Sequence, residues 1–142
     1  MKSIYLPLIL AILGGVIYNI SQKSIPSNSN PMFAIIIAYI AGIFILVFFN
    51  FLYPTEKSFL DTVKELNWSM VTVGVGAVMI EIGILLAYRV GWNIGITSTI
   101  MGATVALLLI PVGIIIYKEH LSIWNLLGVL FCIIGLALVV KK

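Results

Sequence analysis

The sequence predicts an all-α integral membrane protein of five transmembrane helices, and three observations carry that reading. Hydrophobic residues make up 62% of the 142-residue chain and charged residues only 9%, where a soluble domain carries about 25% charged residues. Mean hydropathy is +1.21, so too little polar material is present to coat a water-facing surface. Several apolar runs reach the roughly 17–25 residues needed to cross a bilayer. The chain reads as one transmembrane domain, 1–142, of a multi-pass protein of the cell membrane, with a prokaryotic plasma membrane as the expected location.

The spans follow from hydropathy in chain order. The first covers about 4–22 and ends in the turn-rich "KSIPSNSNP"; the second covers about 32–53 and stops at Pro54. The third covers about 68–89, the fourth 94–117 and the fifth 123–140. Tyr53, Trp68, Tyr117 and Trp124 fall near span ends, where amphipathic rings favour the headgroup level. The opening "MKSIYLPLILAILGG" has the look of a signal peptide, but its apolar core is long and no A-x-A-like site follows, so it is read as a retained first helix. Between spans two and three, Phe59, Leu60, Val63 and Leu66 recur at helical spacing after a Ser58–Asp61 capping box. That pattern predicts a short interfacial helix over about 56–67, with a solvated loop as the alternative.

Charge placement bears on orientation. Five spans put Lys2, Lys57, Lys64 and Lys118 on one side and Lys23, Arg89, Lys141 and Lys142 on the other. Four against four leaves no electrostatic instruction under the positive-inside rule, so dual topology is expected. Unequal weighting of Lys23 and Arg89 near span ends would instead fix one orientation. Two oppositely inserted copies would form a ten-helix inverted homodimer, the plan of inverted-repeat transporters.

Glu81 stands inside "AVMIEIGILLAYR", with seven apolar or small residues separating it from Arg89. A charged side chain near the bilayer centre costs about 2.5–3.5 kcal/mol on the insertion scale. Such residues face a bundle interior or a wet cavity, and burial disfavours their charged form. A carboxyl poised in this way can exchange a proton for a cationic substrate, so Glu81 is the candidate proton or cation site; a glutamate that only ties helices together is the alternative. Gly74, Ala77, Leu85 and Tyr88 share its helical face. Tyr18, Asn19, Tyr88, Trp92 and Thr97 are the candidate substrate-cavity residues, although Thr97 can equally bond back to its own helix. Gly128 and Gly135, seven apart, form a candidate seam for helix or dimer packing. Pro111 removes a backbone donor and is expected to kink its helix.

Other classes find little support. Eight scattered Lys and Arg form no basic patch despite a pI near 9.1, so no nucleic-acid partner is expected. Cys132 lies in an apolar run and His120 in a short loop; neither is part of a nucleophile triad, phosphate loop or metal cluster. No enzyme activity, cofactor or metal is expected.

The stretch from "LLAYRVGWNIG" to "IIGLALVV" resembles the carboxy-terminal half of an EamA-type domain, the repeat of the drug/metabolite transporter superfamily. The features are a helix ending "AYR-x-G", the run "KEHLS", similar to the family's Gly-Glu-(Arg/Lys)-Leu-(Ser/Thr), and a last helix with Gly128 and Gly135. "ILGGVIYNISQKS" resembles the family's first helix. The resemblance implies a half-transporter. The related small multidrug resistance proteins work as inverted homodimers whose first helix carries an essential glutamate. Aligned on "AILGGVIYNISQK", that position is Gly15 here, while Glu119 matches the family's loop glutamate.

The expected function is secondary-active transport of a small organic solute, a drug or metabolite and in particular a cation, by alternating access and with proton coupling through Glu81. A lipid-linked sugar flippase or its subunit, a non-transporting assembly protein and a dual-topology channel are the alternatives.

Overall fold

The computed structural model describes residues 5–53 and 57–141. Lys2, Lys142, the expected start of span one at residue 4, the stop at Pro54 and the expected start of the interfacial helix at Glu56 lie outside the described residues. Every regular element among the described residues is a helix: α1 Leu6–Ser24, α2 Pro31–Leu52, α3 Phe59–Lys64, α4 Trp68–Arg89, α5 Ile94–Ile115 and α6 Ile123–Val140. All but α3 are long and apolar enough to cross a membrane. At 1.5 Å per residue, 22 residues span about 33 Å, enough for a hydrocarbon core of about 30 Å.

Polar residues placed between the apolar runs start the helices. Asn30 Oδ1 accepts from the amides of Met32 at 2.9 Å and Phe33 at 3.4 Å, with Pro31 in the first turn where no amide is needed. Asn67 caps α4 through the amides of Ser69 and Met70, and Ser122 caps α6 through that of Asn125. Asn67 has a bearing on α3, which closes at Lys64 rather than running to 67: the asparagine belongs to the next helix start. Gly91, at φ 96°, supplies the left-handed residue in the turn from α4 to α5. Helix α5 continues through Pro111 and ends at Ile115, two residues before the expected end of its span. There Lys118 adopts φ 53° and the Glu119 amide turns back to the Gly113 carbonyl at 3.1 Å.

The chain divides into two compact units, one of Ser21–Val90 and one of Met1–Ile20 with Gly91–Lys142. In the first, α2 packs on α4; in the second, α5 packs on α6. Among the described residues the buried apolar side chains are few, namely Ile35, Ile84, Leu85 and Tyr88, while many Ile, Leu, Val and Phe lie exposed on all five long helices. An exposed apolar surface of this extent suits lipid and not water. Tyr53, Trp68, Tyr117 and Trp124 are exposed at helix ends, where a ring can reach the headgroup layer.

Candidate functional site

In the unit Ser21–Val90, the covered positions of α4 are Gly76, Ala77, Glu81, Ile82, Ile84, Leu85, Ala87, Tyr88 and Arg89, and a stripe at helical spacing runs through Ala77, Glu81, Ile84, Leu85 and Tyr88. Gly74, expected on the same face, is exposed. The covered positions of α2 form a matching stripe through Ala34, Ile35, Tyr39 and Gly42. A Cβ at Gly42 or Gly76 would meet nothing within 4 Å, so neither glycine is required by the packing of the two helices. Glu81 is partly buried on this packed face, and among the described residues no hydrogen-bond donor or cation pairs with it. The Tyr39 hydroxyl is buried and has no hydrogen-bond partner.

The end of the pair sets the depth of both residues. Arg89 Nη2 donates to the Ser29 carbonyl at 2.7 Å and to the Ser29 hydroxyl at 3.2 Å, which brings the exit of α4 to the entry of α2. The two helices are therefore antiparallel with level ends. Tyr39 is the eighth residue beyond Pro31, and Glu81 the eighth before Arg89. A rise of 1.5 Å per residue then sets both about 12 Å in from the same end.

Tyr88 closes that end. It is buried, and the Lys23 ammonium stands 5.2 Å from its ring centroid and donates to its carbonyl at 3.4 Å. A cation over a ring face is attracted by the ring quadrupole, more so away from water.

The other unit holds the remaining candidates. Asn19 Oδ1 accepts from the Ser98 hydroxyl at 3.0 Å, linking α1 to α5, while Asn19 Nδ2 donates to the Gly15 carbonyl at 2.8 Å. Gly15 thus supplies a carbonyl acceptor at the position where the resemblance would place a carboxylate. Thr97 is buried and its hydroxyl bonds back to the Asn93 carbonyl at 2.9 Å. Tyr18 is partly buried beside Asn19, and Trp92 is exposed in the turn before α5. A Cβ at Gly128 or Gly135 would meet nothing within 4 Å, so that face of α6 is open.

Residues 6–138 match the model of a family described as "Putative inner membrane exporter, YdcZ". The chain belongs to the YdcZ family. No curated protein and no solved structure matches it significantly. Membership makes this a multi-pass membrane protein of a transporter family. The kinship to EamA-type and small multidrug resistance proteins stays a likeness of short motifs.

Sequence reasoning missed Tyr39, the Arg89–Ser29 link and the Lys23–Tyr88 stack in this YdcZ-family chain. One signal for Tyr39 was present: it is the only polar side chain between Pro31 and Phe49. The other two depend on which helix ends meet, and no local pattern encodes that.

Proposed function

We propose that this YdcZ-family protein is a secondary-active transporter that moves a small organic solute, a cation by preference, by alternating access with proton coupling through Glu81. One observation carries the reading: a carboxyl group lies mid-helix on the packed face of α4 without a cation or donor among the described residues. A fixed structural carboxylate in a membrane would be expected to hold a partner, because leaving it unpaired is costly. An unpaired one is free to take a proton or a cationic solute in turn. The family's description as an exporter of the inner membrane supports outward transport across that membrane.

The transporting unit in this reading is an inverted homodimer of ten helices. The four-against-four charge balance, the odd number of spans and the open face at Gly128 and Gly135 support it. Tyr18, Asn19, Tyr88, Trp92 and Thr97 would line the solute path.

Glu81→Gln tests the coupling. In vesicles with an imposed pH gradient and a panel of organic cations, the variant should lose gradient-driven transport while folding nearly as the parent does. Normal transport with an unchanged pH dependence would overturn the reading. Accessibility of tags at both termini to an impermeant reagent tests the dual orientation separately.

A further inference from the structure

Tyr39 and Glu81 come from two helices whose ends are held level, and each lacks the partner its chemistry calls for. A buried hydroxyl without a hydrogen-bond partner is uncommon in a folded protein. Here it sits at the depth of a carboxyl group that also lacks a donor. Within α2, the element packed against α4, Tyr39 is the only titratable side chain. On α4 itself the other titratable groups are Tyr88 and Arg89, seven and eight residues further on, with Lys23 beside Tyr88. No cation therefore competes with the phenol for Glu81 at mid-helix among the described residues.

We propose that Tyr39 is the positioning residue of the Glu81 site, its hydroxyl donating a hydrogen bond to the carboxylate whenever Glu81 has given up its proton and holds no solute. This rests on the reading of Glu81 as the coupling group. The deprotonated carboxylate in lipid needs a donor, and a neutral phenol supplies one without adding a positive charge that would exclude a cation. When a cation or a proton occupies the carboxylate, the phenol is released. The hydroxyl thus holds the empty, charged state only loosely, which an exchanger requires.

The physical signature is a shift in titration. A hydrogen bond donated to the charged form favours that form. Removing it in Tyr39→Phe should move the Glu81 titration midpoint to higher pH by about one unit, tenfold in proton concentration. The measurement is infrared difference spectroscopy on the full-length protein in lipid nanodiscs across pH, with no solute added. The carbonyl stretch of the protonated acid is assigned to Glu81 by its loss in Glu81→Gln. The ring bands of tyrosine in the unmutated protein provide a second readout that does not depend on the variant folding. They should change in step with Glu81 deprotonation, and this change should vanish in Glu81→Gln.

An unmoved midpoint in Tyr39→Phe, tyrosine bands indifferent to Glu81, or a Glu81 band that does not titrate in the unmutated protein would each overturn the proposal. Failure of the coupling reading is distinguishable, because it appears as pH-driven transport surviving in Glu81→Gln whatever the infrared bands do.

Discussion

Arg89 Nη2 donates to the carbonyl of Ser29 at 2.7 Å and to its hydroxyl at 3.2 Å, and this pair sets the register of α4 against α2. A longer bond at 3.5 Å reaches the Pro26 carbonyl. One side chain thus satisfies acceptors of the α1–α2 loop that the membrane interface would otherwise leave to water. Hydrogen bonds with a charged partner contribute about 1.5–3 kcal/mol each in net terms. Arg89→Ala is therefore expected to destabilise the protein by about 2 kcal/mol, read as a lower midpoint of denaturant unfolding in micelles. Arg89→Lys should recover only part, since the lysine side chain is shorter and its ammonium falls short of the position Nη2 occupies. Equal midpoints for all three proteins would remove this contact from the account of register.

Asn19 and Ser98 offer a second, weaker tie, from α1 to α5. Hydrogen bonds between membrane helices average about 0.6 kcal/mol in double-mutant cycles, because the separated helices also find partners. The coupling energy between Asn19→Ala and Ser98→Ala is expected near that value, about 0.6 kcal/mol. A cycle that closes at zero would show that the 3.0 Å bond contributes no stability.

The five spans were legible because lipid imposes a length and a composition on each, and both can be read without knowing any neighbour. Glu81 stood out as a candidate for the same reason: its cost is local. Tyr39 was not, since a lone tyrosine in an apolar run reads as packing until the partner helix and its register are known. Arg89 shows the same limit. Counted as a loop charge it speaks only to orientation, whereas its structural work is done through Ser29, sixty residues away. Thr97 makes the opposite point, because its back-bond to Asn93 is a local tendency of threonine in helices and could be foreseen as such.

Gly113 is buried near the end of α5, and a Cβ there would come within 2.6 Å of Glu119 Oε2. The obstructing atom is the far end of a flexible, exposed side chain, so it can swing aside. Alanine also gains up to about 1 kcal/mol over glycine inside a helix. Gly113→Ala should therefore leave stability within about 1 kcal/mol of the parent, while Gly113→Leu, whose longer side chain needs a larger displacement of Glu119, should reduce it more. Thermal unfolding of both variants in micelles checks this. A severe loss in Gly113→Ala would mean that the Glu119 side chain is fixed where it lies.

Asp61 makes α3 sensitive to acid. The Ser58 hydroxyl donates to Asp61 Oδ2 at 2.7 Å and accepts from the Asp61 amide, and Lys64 Nζ reaches Oδ1 at 3.1 Å. The Ser58 hydrogen bond first, and the Lys64 contact second, hold this carboxyl below the usual aspartate range. A carboxyl lowered on folding stabilises the helix at pH above its unfolded value, near 3.9, and that contribution is lost as pH falls through the lower folded value. Helix α3 is therefore expected to keep its order from neutral pH down to about 4 and to fray below it. Ser58→Ala removes the larger cause, so in that variant α3 should be less ordered at neutral pH and should change less on acidification. Spin labels at Leu60 or Val63, read by electron paramagnetic resonance between neutral and acid pH, report the mobility of this helix. Identical acid responses in the parent and in Ser58→Ala would show that the cap does not govern α3.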